Sequence, residues 1–201
     1  DKIKEKKRSL IYTVSAVGGI ITLVIALLLY FSSVKEKAYA FEMEAYNYYY
    51  NINLKNPLSE VERWKKSLEL FQKAIETKPT PWAQFYVGNS YSNLGDYNNA
   101  IKAYLIFIDK YKNEEEVLPL VYQKLVANYI KAGKGDEAIK TLNALAQFKN
   151  GIFKDTALIL EARYYESAGK QEDAVKKYKE LVKDFPLSPW GAEAKAKTEM
   201  E

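Results

Sequence analysis

The sequence predicts an all-α chain, in which one apolar N-terminal helix precedes an α-solenoid of about four helix pairs and a C-terminal capping helix. Two observations predict this fold class. Residues 10–31 form a run of 22 residues without a charge. Further along the chain, the pattern Tyr-x3-Gly-x4-Ala occurs three times. A single helix pair cannot bury its own apolar face, so repeats of such pairs must stack on one another.

The composition argues against several classes of function. The 201 residues include no Cys and no His, which leaves no thiolate metal site and removes the commonest general base near neutral pH. No Gly-rich phosphate loop or nucleophile elbow is present. We therefore expect no enzyme activity, no cofactor and no metal site. The acidic run at residues 114–116 is interpreted as a solvated loop.

The net charge of +4 is concentrated at the N-terminus. The first 33 residues hold five basic and two acidic groups, which leaves 25 basic and 24 acidic groups for the rest of the chain. A nucleic-acid-binding domain needs a basic face. The near-neutral balance of the remaining chain therefore argues against a nucleic-acid partner.

Residues 10–31 are predicted to be a transmembrane helix in contact with the lipid bilayer. At about 1.5 Å per residue they span about 33 Å, enough for the hydrocarbon core of a bilayer. Tyr12 at one end and Tyr30 with Phe31 at the other are typical interfacial aromatics. Residues 1–9 form a basic tail, so the positive-inside rule predicts a cytoplasmic N-terminus and an exported remainder.

Two features of this segment leave alternatives open. Ala38-Tyr39-Ala40 has the small-x-small form of a signal-peptide cleavage site, although the apolar run is longer than the roughly 7–15 residues of a signal core. An uncleaved anchor is therefore favoured. One helical stripe carries small residues that would allow a second membrane helix to approach closely, or that simply reflect the composition of membrane helices. The stripe consists of Ser15, Gly19, Thr22 and Ala26.

The membrane segment is predicted to continue without a break into the exported part of the chain. No Gly or Pro occurs between Ile20 and Asn56. An apolar stripe with helical period follows the span, at Ala38, Phe41, Ala45, Tyr48 and Ile52. The run of tyrosines at residues 46–50 is interpreted as packing against neighbouring helices, with a binding surface as the alternative.

The next helix is predicted from its start and stop signals. Ser59 and Glu62 form a capping box, Pro79 ends the helix, and Thr80 caps the following one with Pro81 in its first turn. The apolar face of the first of these helices is predicted to contain Val61, Trp64, Leu68, Phe71 and Ile75.

Corresponding positions then recur in three helix pairs. In each pair, a Gly lies four positions after a Tyr, and an Ala lies five positions after that Gly. A Tyr or a Leu lies four positions after the Ala. The glycines are Gly95, Gly133 and Gly169, and the alanines are Ala100, Ala138 and Ala174. The last residues of the pattern are Tyr104, Leu142 and Tyr178.

These residues resemble the tetratricopeptide repeat (TPR), a helix–turn–helix unit of 34 residues. The resemblance covers residues 81–186 and, more weakly, the preceding helix pair, so residues 32–187 are predicted to be the repeat domain. The chain departs from the family at Gln84, Val126, Gly135 and Ala162, and residues 113–116 and 150–151 carry insertions. Residues 188–201 are predicted to form a capping helix, with Ser188 as its cap and Pro189 in its first turn.

The resemblance implies that a protein ligand lies in a groove lined by the first helix of each pair. Asn89, Lys131 and Arg163 would form part of a carboxylate clamp, with a plain solvated groove as the favoured alternative. The groove residues implied are Trp82, Phe85, Asn89, Asn93, Gln123, Ile130, Lys131, Ile159, Arg163 and Glu166.

A single membrane anchor followed by an exported TPR domain resembles the ancillary TPR subunit of the bacterial Sec translocon, and more loosely the TPR proteins of envelope assembly. The resemblance implies a scaffold or adaptor at the bacterial inner membrane with its repeats in the periplasm. The implied partners are a membrane complex subunit, a chaperone or an exported client. The alternative is a structural accessory subunit that docks through its transmembrane helix.

Overall fold

The chain folds as successive antiparallel helix pairs in a computed structural model that describes residues 2–54 and 56–199. Within these ranges the secondary structure is helical and contains no strand, as the sequence predicts. Four pairs (α1/α2, α3/α4, α5/α6 and α7/α8) are followed by a capping helix, α9. The helices are α1 (Lys2–Tyr50), α2 (Glu60–Thr77), α3 (Pro81–Asn93), α4 (Tyr97–Lys110), α5 (Leu118–Lys131), α6 (Gly135–Gln147), α7 (Lys154–Ser167), α8 (Gln171–Asp184) and α9 (Gly191–Glu199).

Helix α1 is continuous over 49 residues, which corresponds to about 73 Å of helix. No helix end marks the predicted domain boundary at residue 32. In the described part of the chain, one helical segment, Val17–Tyr50, is long and apolar enough to cross a membrane. The helix ends at Tyr50 because Asn51 and Asn53 adopt left-handed φ angles of 57° and 54°. Ile52, predicted to extend the apolar stripe, therefore lies beyond the helix and is exposed.

Small residues bring α1 and α2 close together. Ala38 and Ala45 of α1 are 2% and 0% exposed, and Ser67 and Ala74 of α2 are both 0% exposed. Arg63 at the start of α2 donates hydrogen bonds to the final carbonyl groups of α1 and is drawn into the contact.

This contact corrects the predicted face of α2. Because α1 packs on the small residues, α2 is rotated relative to the prediction, and Val61 at its start remains 48% exposed. Trp64, Leu68 and Ile75 are only half-buried. The capping box between Ser59 and Glu62 is confirmed, as are the Thr80 cap and Pro81 at the start of α3. The buried residues of α2 are Arg63, Ser67, Leu70, Phe71 and Ala74.

The recurring glycines and alanines occupy equivalent places in the three helix pairs. Gly95, Gly133 and Gly169 end the first helix of their pairs with φ angles of 78°, 72° and 71°. Five residues later in each pair, an alanine with 0% exposure lies where the two helices cross. A large residue one turn further on fills the space between the helices, and these residues are Tyr104, Leu142 and Tyr178.

The departure from the TPR pattern at Val126 is explained by the size of the residue that packs against it. A Cβ atom placed on Gly88 would lie 2.5 Å from a ring carbon of Tyr104, so the tyrosine requires a glycine here. At the corresponding positions of the next pair, the smaller Leu142 faces a helix that carries Val126, and both are buried. The valine therefore occupies volume that the missing aromatic ring leaves free.

The capping helix begins later than predicted. Helix α9 starts at Gly191, and residues 186–190 form a turn, so the interpretation of Ser188 as its cap is wrong. The Ser188 hydroxyl instead donates to Asp155 of α7 at 2.7 Å. It also accepts a hydrogen bond from the Trp190 amide at 3.2 Å. Ser188 thus ties the turn to the neighbouring helix pair.

The loops between successive pairs all lie on one side of the domain, which we call the proximal edge. They comprise residues 78–80, 111–117, 148–153 and 185–190, and the apolar half of α1 leaves the domain on this side. Three contacts join the edge: Thr80 with Glu42, Lys149 with Glu115, and Ser188 with Asp155. The turns within pairs lie on the opposite side, the distal edge. The acidic residues 114–116 are exposed, as predicted for a solvated loop.

Candidate protein-binding groove

The first helix of each pair contributes to one surface, which we call the first-helix face. It is formed by residues 38–50 of α1 together with α3, α5 and α7. The ring of Tyr86 on α3 lies with its centroid 4.8 Å from that of Tyr46 and 5.1 Å from that of Tyr49. Burial raises the pKa of Tyr46 and of Tyr86 above the ordinary value of a phenol.

The packing interpretation of the tyrosine run is confirmed for most of its members. Tyr46, Tyr48 and Tyr49 are half-buried against the core of the first two pairs. Tyr50 is 53% exposed, and its hydroxyl shares a hydrogen bond with that of Tyr86. The run therefore joins α1 to the repeats and leaves one aromatic side chain at the surface.

The residues predicted on α3 are divided between the surface and the core. Trp82 is 45% exposed, with its ring 6.1 Å from that of Phe85. Phe85 and Asn89 are each 6% exposed, and Asn89 accepts a hydrogen bond from the Tyr104 hydroxyl at 2.7 Å. Asn93 is exposed and donates to the Tyr49 hydroxyl at 3.1 Å. Of these residues, Trp82 and Asn93 are accessible to a partner.

A cleft between α5 and α7 brings together three more of the predicted residues. Gln123 and Ile130 on α5 face Arg163 on α7 across a volume of about 150 Å³. Lys131 is exposed, with its ammonium group 5.3 Å from the centroid of the Tyr97 ring. Ile159 is 0% exposed and presents no surface to a ligand. The cleft is lined by Gln123, Val126, Ala127, Ile130, Leu160, Arg163, Tyr164 and Ser167.

Helix α9 engages the two charged residues predicted on α7. Arg163 donates from Nε and Nη2 to the two carboxylate oxygens of Glu193, at 2.9 and 2.6 Å, and stacks over the Trp190 ring. This bidentate contact lowers the pKa of Glu193. Glu166 pairs with Lys197, whose hydrogen bond lowers the pKa of the Glu166 carboxyl.

The carboxylate clamp inferred from the sequence is therefore not assembled. Asn89 is buried and bonded to Tyr104, and Arg163 already holds a carboxylate of its own chain. Lys131 is exposed, and its ammonium group lies over the Tyr97 ring. The favoured alternative, a solvated groove without a clamp, agrees with this arrangement.

Sequence reasoning missed apolar residues of α1 that extend the first-helix face. Tyr39 is 62% exposed and Met43 is 42% exposed. Both share a helical stripe with Tyr46 and Tyr50, since they precede them by whole turns. That spacing is visible in the sequence, but the predicted apolar stripe of this segment included neither Tyr39 nor Met43.

A second cleft, of about 410 Å³, was also missed. It lies between α2 and α4, on the face formed by the second helices, and α3 forms its floor. Ile106 on its rim is 42% exposed. An apolar residue on the outward-facing side of α4 is the sequence signal that could have indicated this cleft. In the floor, Gln84, which stands where the family often has Trp, donates to the Ala103 carbonyl at 2.8 Å.

The predicted membrane-packing stripe lies on the exposed surface of α1. Ser15, Gly19, Thr22 and Ala26 are all exposed, and the Thr22 hydroxyl donates to the Gly18 carbonyl at 3.0 Å. A Cβ atom on Gly19 would meet no other atom within 4 Å. The stripe is thus open to a neighbouring helix or to lipid.

Comparison with known proteins identifies the repeats. Residues 82–113 and 156–188, which correspond to α3/α4 and α7/α8, match the family model described as tetratricopeptide repeat. No curated protein sequence matches the chain. Among solved structures, a thermophilic TPR protein of Thermus thermophilus aligns with a TM-score of 0.32 and 15% identity, over 70% of this chain and 91% of that one. This chain is an all-helical protein that carries tetratricopeptide repeats.

Proposed function

We propose that the chain is a membrane-anchored scaffold for protein–protein interactions. In this proposal residues 10–31 cross the bacterial inner membrane, the N-terminus is cytoplasmic, and the repeats lie in the periplasm. The first-helix face would bind a membrane complex subunit, a chaperone or an exported client. The process served would be protein translocation or envelope assembly.

One observation carries the proposal: large apolar side chains are exposed in the N-terminal half of α1, whereas alanines of its C-terminal half are buried. In the N-terminal half, Leu23, Leu28 and Leu29 are 60%, 63% and 67% exposed. In the C-terminal half, Ala38 and Ala45 are 2% and 0% exposed. A core helix of a soluble protein buries its apolar residues, whereas a membrane helix exposes them to lipid. A single unbroken helix therefore supports both an anchor and a domain held directly to it.

The position of Ala38 favours an anchor over a cleaved signal peptide. Cleavage after Ala40 would cut within α1 and remove Ala38 from the contact with the repeat domain. It would also remove the helix turn that precedes Glu42. Glu42 accepts a hydrogen bond from Thr80, the cap of α3, so this turn supports a contact with the repeat domain. The folded domain thus uses residues on both sides of the small-x-small sequence.

The first-helix face supports the assignment to protein binding. It combines exposed aromatic side chains at Trp82 and Tyr50 with polar groups at Asn93, Gln123 and Lys131. Aromatic residues within a polar surround are typical of sites that bind other proteins. In TPR proteins this face is the usual site of a bound segment.

Site-specific photo-crosslinking tests the proposal. A photoreactive amino acid is placed at Trp82 or Gln123 on the first-helix face, and at Lys140 on the exposed side of α6 as a control. In intact cells, we expect the two positions on the face to capture the same membrane or exported protein and Lys140 to capture none of it. Equal capture from all three positions, or none from Trp82 and Gln123, would contradict a binding role for this face.

A further inference from the structure

The most exposed apolar side chains of the repeat domain lie on its proximal edge. Outside α1, Leu187 is 97% exposed and Ile152 is 62% exposed, the two highest values for large apolar residues in the described chain. Leu187 lies in the loop between α8 and α9, and Ile152 in the loop between α6 and α7. Trp82 and Leu120, each 45% exposed, lie in the first turns of α3 and α5 on the same edge.

Leu187 and Ile152 belong to one patch rather than to two separate loops. The Ser188 hydroxyl donates to Asp155 at 2.7 Å, which joins the α8–α9 turn to the start of α7. The ammonium group of Lys154 lies 5.8 Å from the centroid of the Phe185 ring. We call these residues, 152–155 and 185–188, the loop patch. It combines apolar side chains with the ammonium group of Lys154, a mixture typical of surfaces at the membrane interface.

The short distance along α1 between the proposed span and the repeat domain brings this edge close to lipid. Beyond Phe31, the first buried residue of the helix is Ala38, seven positions further on. Seven residues of α-helix correspond to about 10 Å. The headgroup region adds roughly 5–7 Å to each side of the hydrocarbon core. The repeat domain therefore begins near the outer limit of the headgroups, and its proximal edge faces them.

The distal edge differs in the corresponding turns. Residues 94–96, 132–134 and 168–170 contribute no large apolar side chain that is more than half-exposed. The exposed apolar residues that the structure describes at that edge belong to the first pair and its loop. They are Tyr50, Ile52, Leu58 and Val61, with exposures of 53%, 45%, 37% and 48%. The two extreme exposures thus occur only on the side that carries the anchor.

We propose that the loop patch rests on the lipid surface, with Leu187 and Ile152 inserted among the headgroups of the membrane that α1 crosses. This inference rests on the proposed anchor and adds a second lipid contact, at the far end of the repeats. The second contact limits the tilt of the domain, so that the first-helix face keeps a fixed angle to the membrane.

Depth-dependent fluorescence quenching tests the contact, and the absence of native Cys makes single labels straightforward. The full chain is reconstituted in phosphatidylcholine vesicles that contain a lipid with a nitroxide near the headgroup. Bimane is attached through Leu187→Cys or Ile152→Cys, with Gln171→Cys on the distal edge as the control and Leu28→Cys as a reporter of the span. We expect at least twofold stronger quenching at residues 187 and 152 than at residue 171.

The outcomes separate this inference from the proposed anchor. Quenching at residue 28 combined with equal quenching at residues 187, 152 and 171 would overturn the loop contact and leave the anchor intact. No quenching at residue 28 would overturn both. If the patch joins two copies of the chain, pyrene at residue 187 will form excimers that increase with protein density while nitroxide quenching is absent, which also overturns the lipid contact.

A second variant shows whether the two apolar side chains make the contact. The label is moved to Lys183→Cys beside the patch, and Ile152→Ser and Leu187→Ser are introduced together. Both side chains are exposed, so circular dichroism is expected to remain unchanged. We expect the quenching at residue 183 to decrease to the level of residue 171. Unchanged quenching would contradict the role of these side chains.

Discussion

Replacing Tyr104 with Ala is expected to lower the free energy of unfolding of the repeat domain by about 3–5 kcal/mol. The Tyr104 side chain is 0% exposed and fills the space against Gly88, where the backbone leaves room for a ring. Removal of the ring leaves a cavity that the neighbouring helices cannot close, because α3 and α4 are also fixed by the Gln84–Ala103 hydrogen bond. Denaturation of the full chain in detergent, followed by circular dichroism, measures the loss.

Tyr104→Phe is the matched control for this prediction. It keeps the ring and removes only the hydrogen bond that the hydroxyl donates to Asn89. Because the Asn89 oxygen then remains buried without that donor, we expect a smaller loss, about 1–3 kcal/mol. Equal effects of the Ala and Phe substitutions would mean that the ring does not support the contact between α3 and α4.

The combined substitutions Ile20→Arg and Leu23→Arg are expected to abolish integration of the chain into the membrane. Each arginine near the centre of a transmembrane helix costs about 2.5–3.5 kcal/mol on insertion scales, so the pair costs about 5–7 kcal/mol. The change also divides the charge-free run into pieces too short to span a bilayer, which needs about 20 residues. Extraction of isolated membranes with alkaline carbonate separates integrated from peripheral protein.

Ile20→Ala with Leu23→Ala is the control, since it shortens the same side chains without adding charge. This variant is expected to resist extraction as the original chain does, whereas the arginine variant is expected in the soluble fraction. Retention of the arginine variant in the carbonate-resistant fraction would show that residues 10–31 are not a lipid-spanning helix.

Local signals in the sequence predicted the helix pairs well, because the residues that end helices act at short range. Gly95, Gly133 and Gly169 end their helices with the left-handed angles that glycine permits. Prediction failed where a distant contact decided the outcome. The buried face of α2 depends on carbonyl groups of α1 that bind Arg63, and the start of α9 depends on the contact of Ser188 with Asp155.

The candidate site was harder to predict for the same reason. Helical spacing places Phe85 and Trp82 on neighbouring parts of one helix face, but only the packed neighbours decide that Phe85 is buried and Trp82 exposed. The pairing of Arg163 with Glu193 joins residues 30 positions apart, and no periodicity indicates it. Arg163 still lines the cleft, but Glu193 of α9 neutralises its charge.

The continuity of α1 links the proposed anchor to the first-helix face. Asn93 and Tyr49 share a hydrogen bond, and Tyr86 packs against the tyrosines of α1, so the start of the solenoid is fixed to the helix that emerges from the proposed span. A domain held in this way has few orientations relative to the membrane. The groove would therefore meet partners at a defined height above the lipid.

The most direct test of the proposed membrane topology is the accessibility of single cysteines on the two sides of the proposed span. Lys6→Cys and Lys131→Cys variants, expressed in bacteria, are treated with a membrane-impermeant maleimide before and after the inner membrane is permeabilised. The proposed topology predicts labelling of residue 131 in spheroplasts and labelling of residue 6 only after permeabilisation. Labelling of both residues in intact spheroplasts, or of residue 131 only after permeabilisation, would contradict a membrane-anchored scaffold with exported repeats.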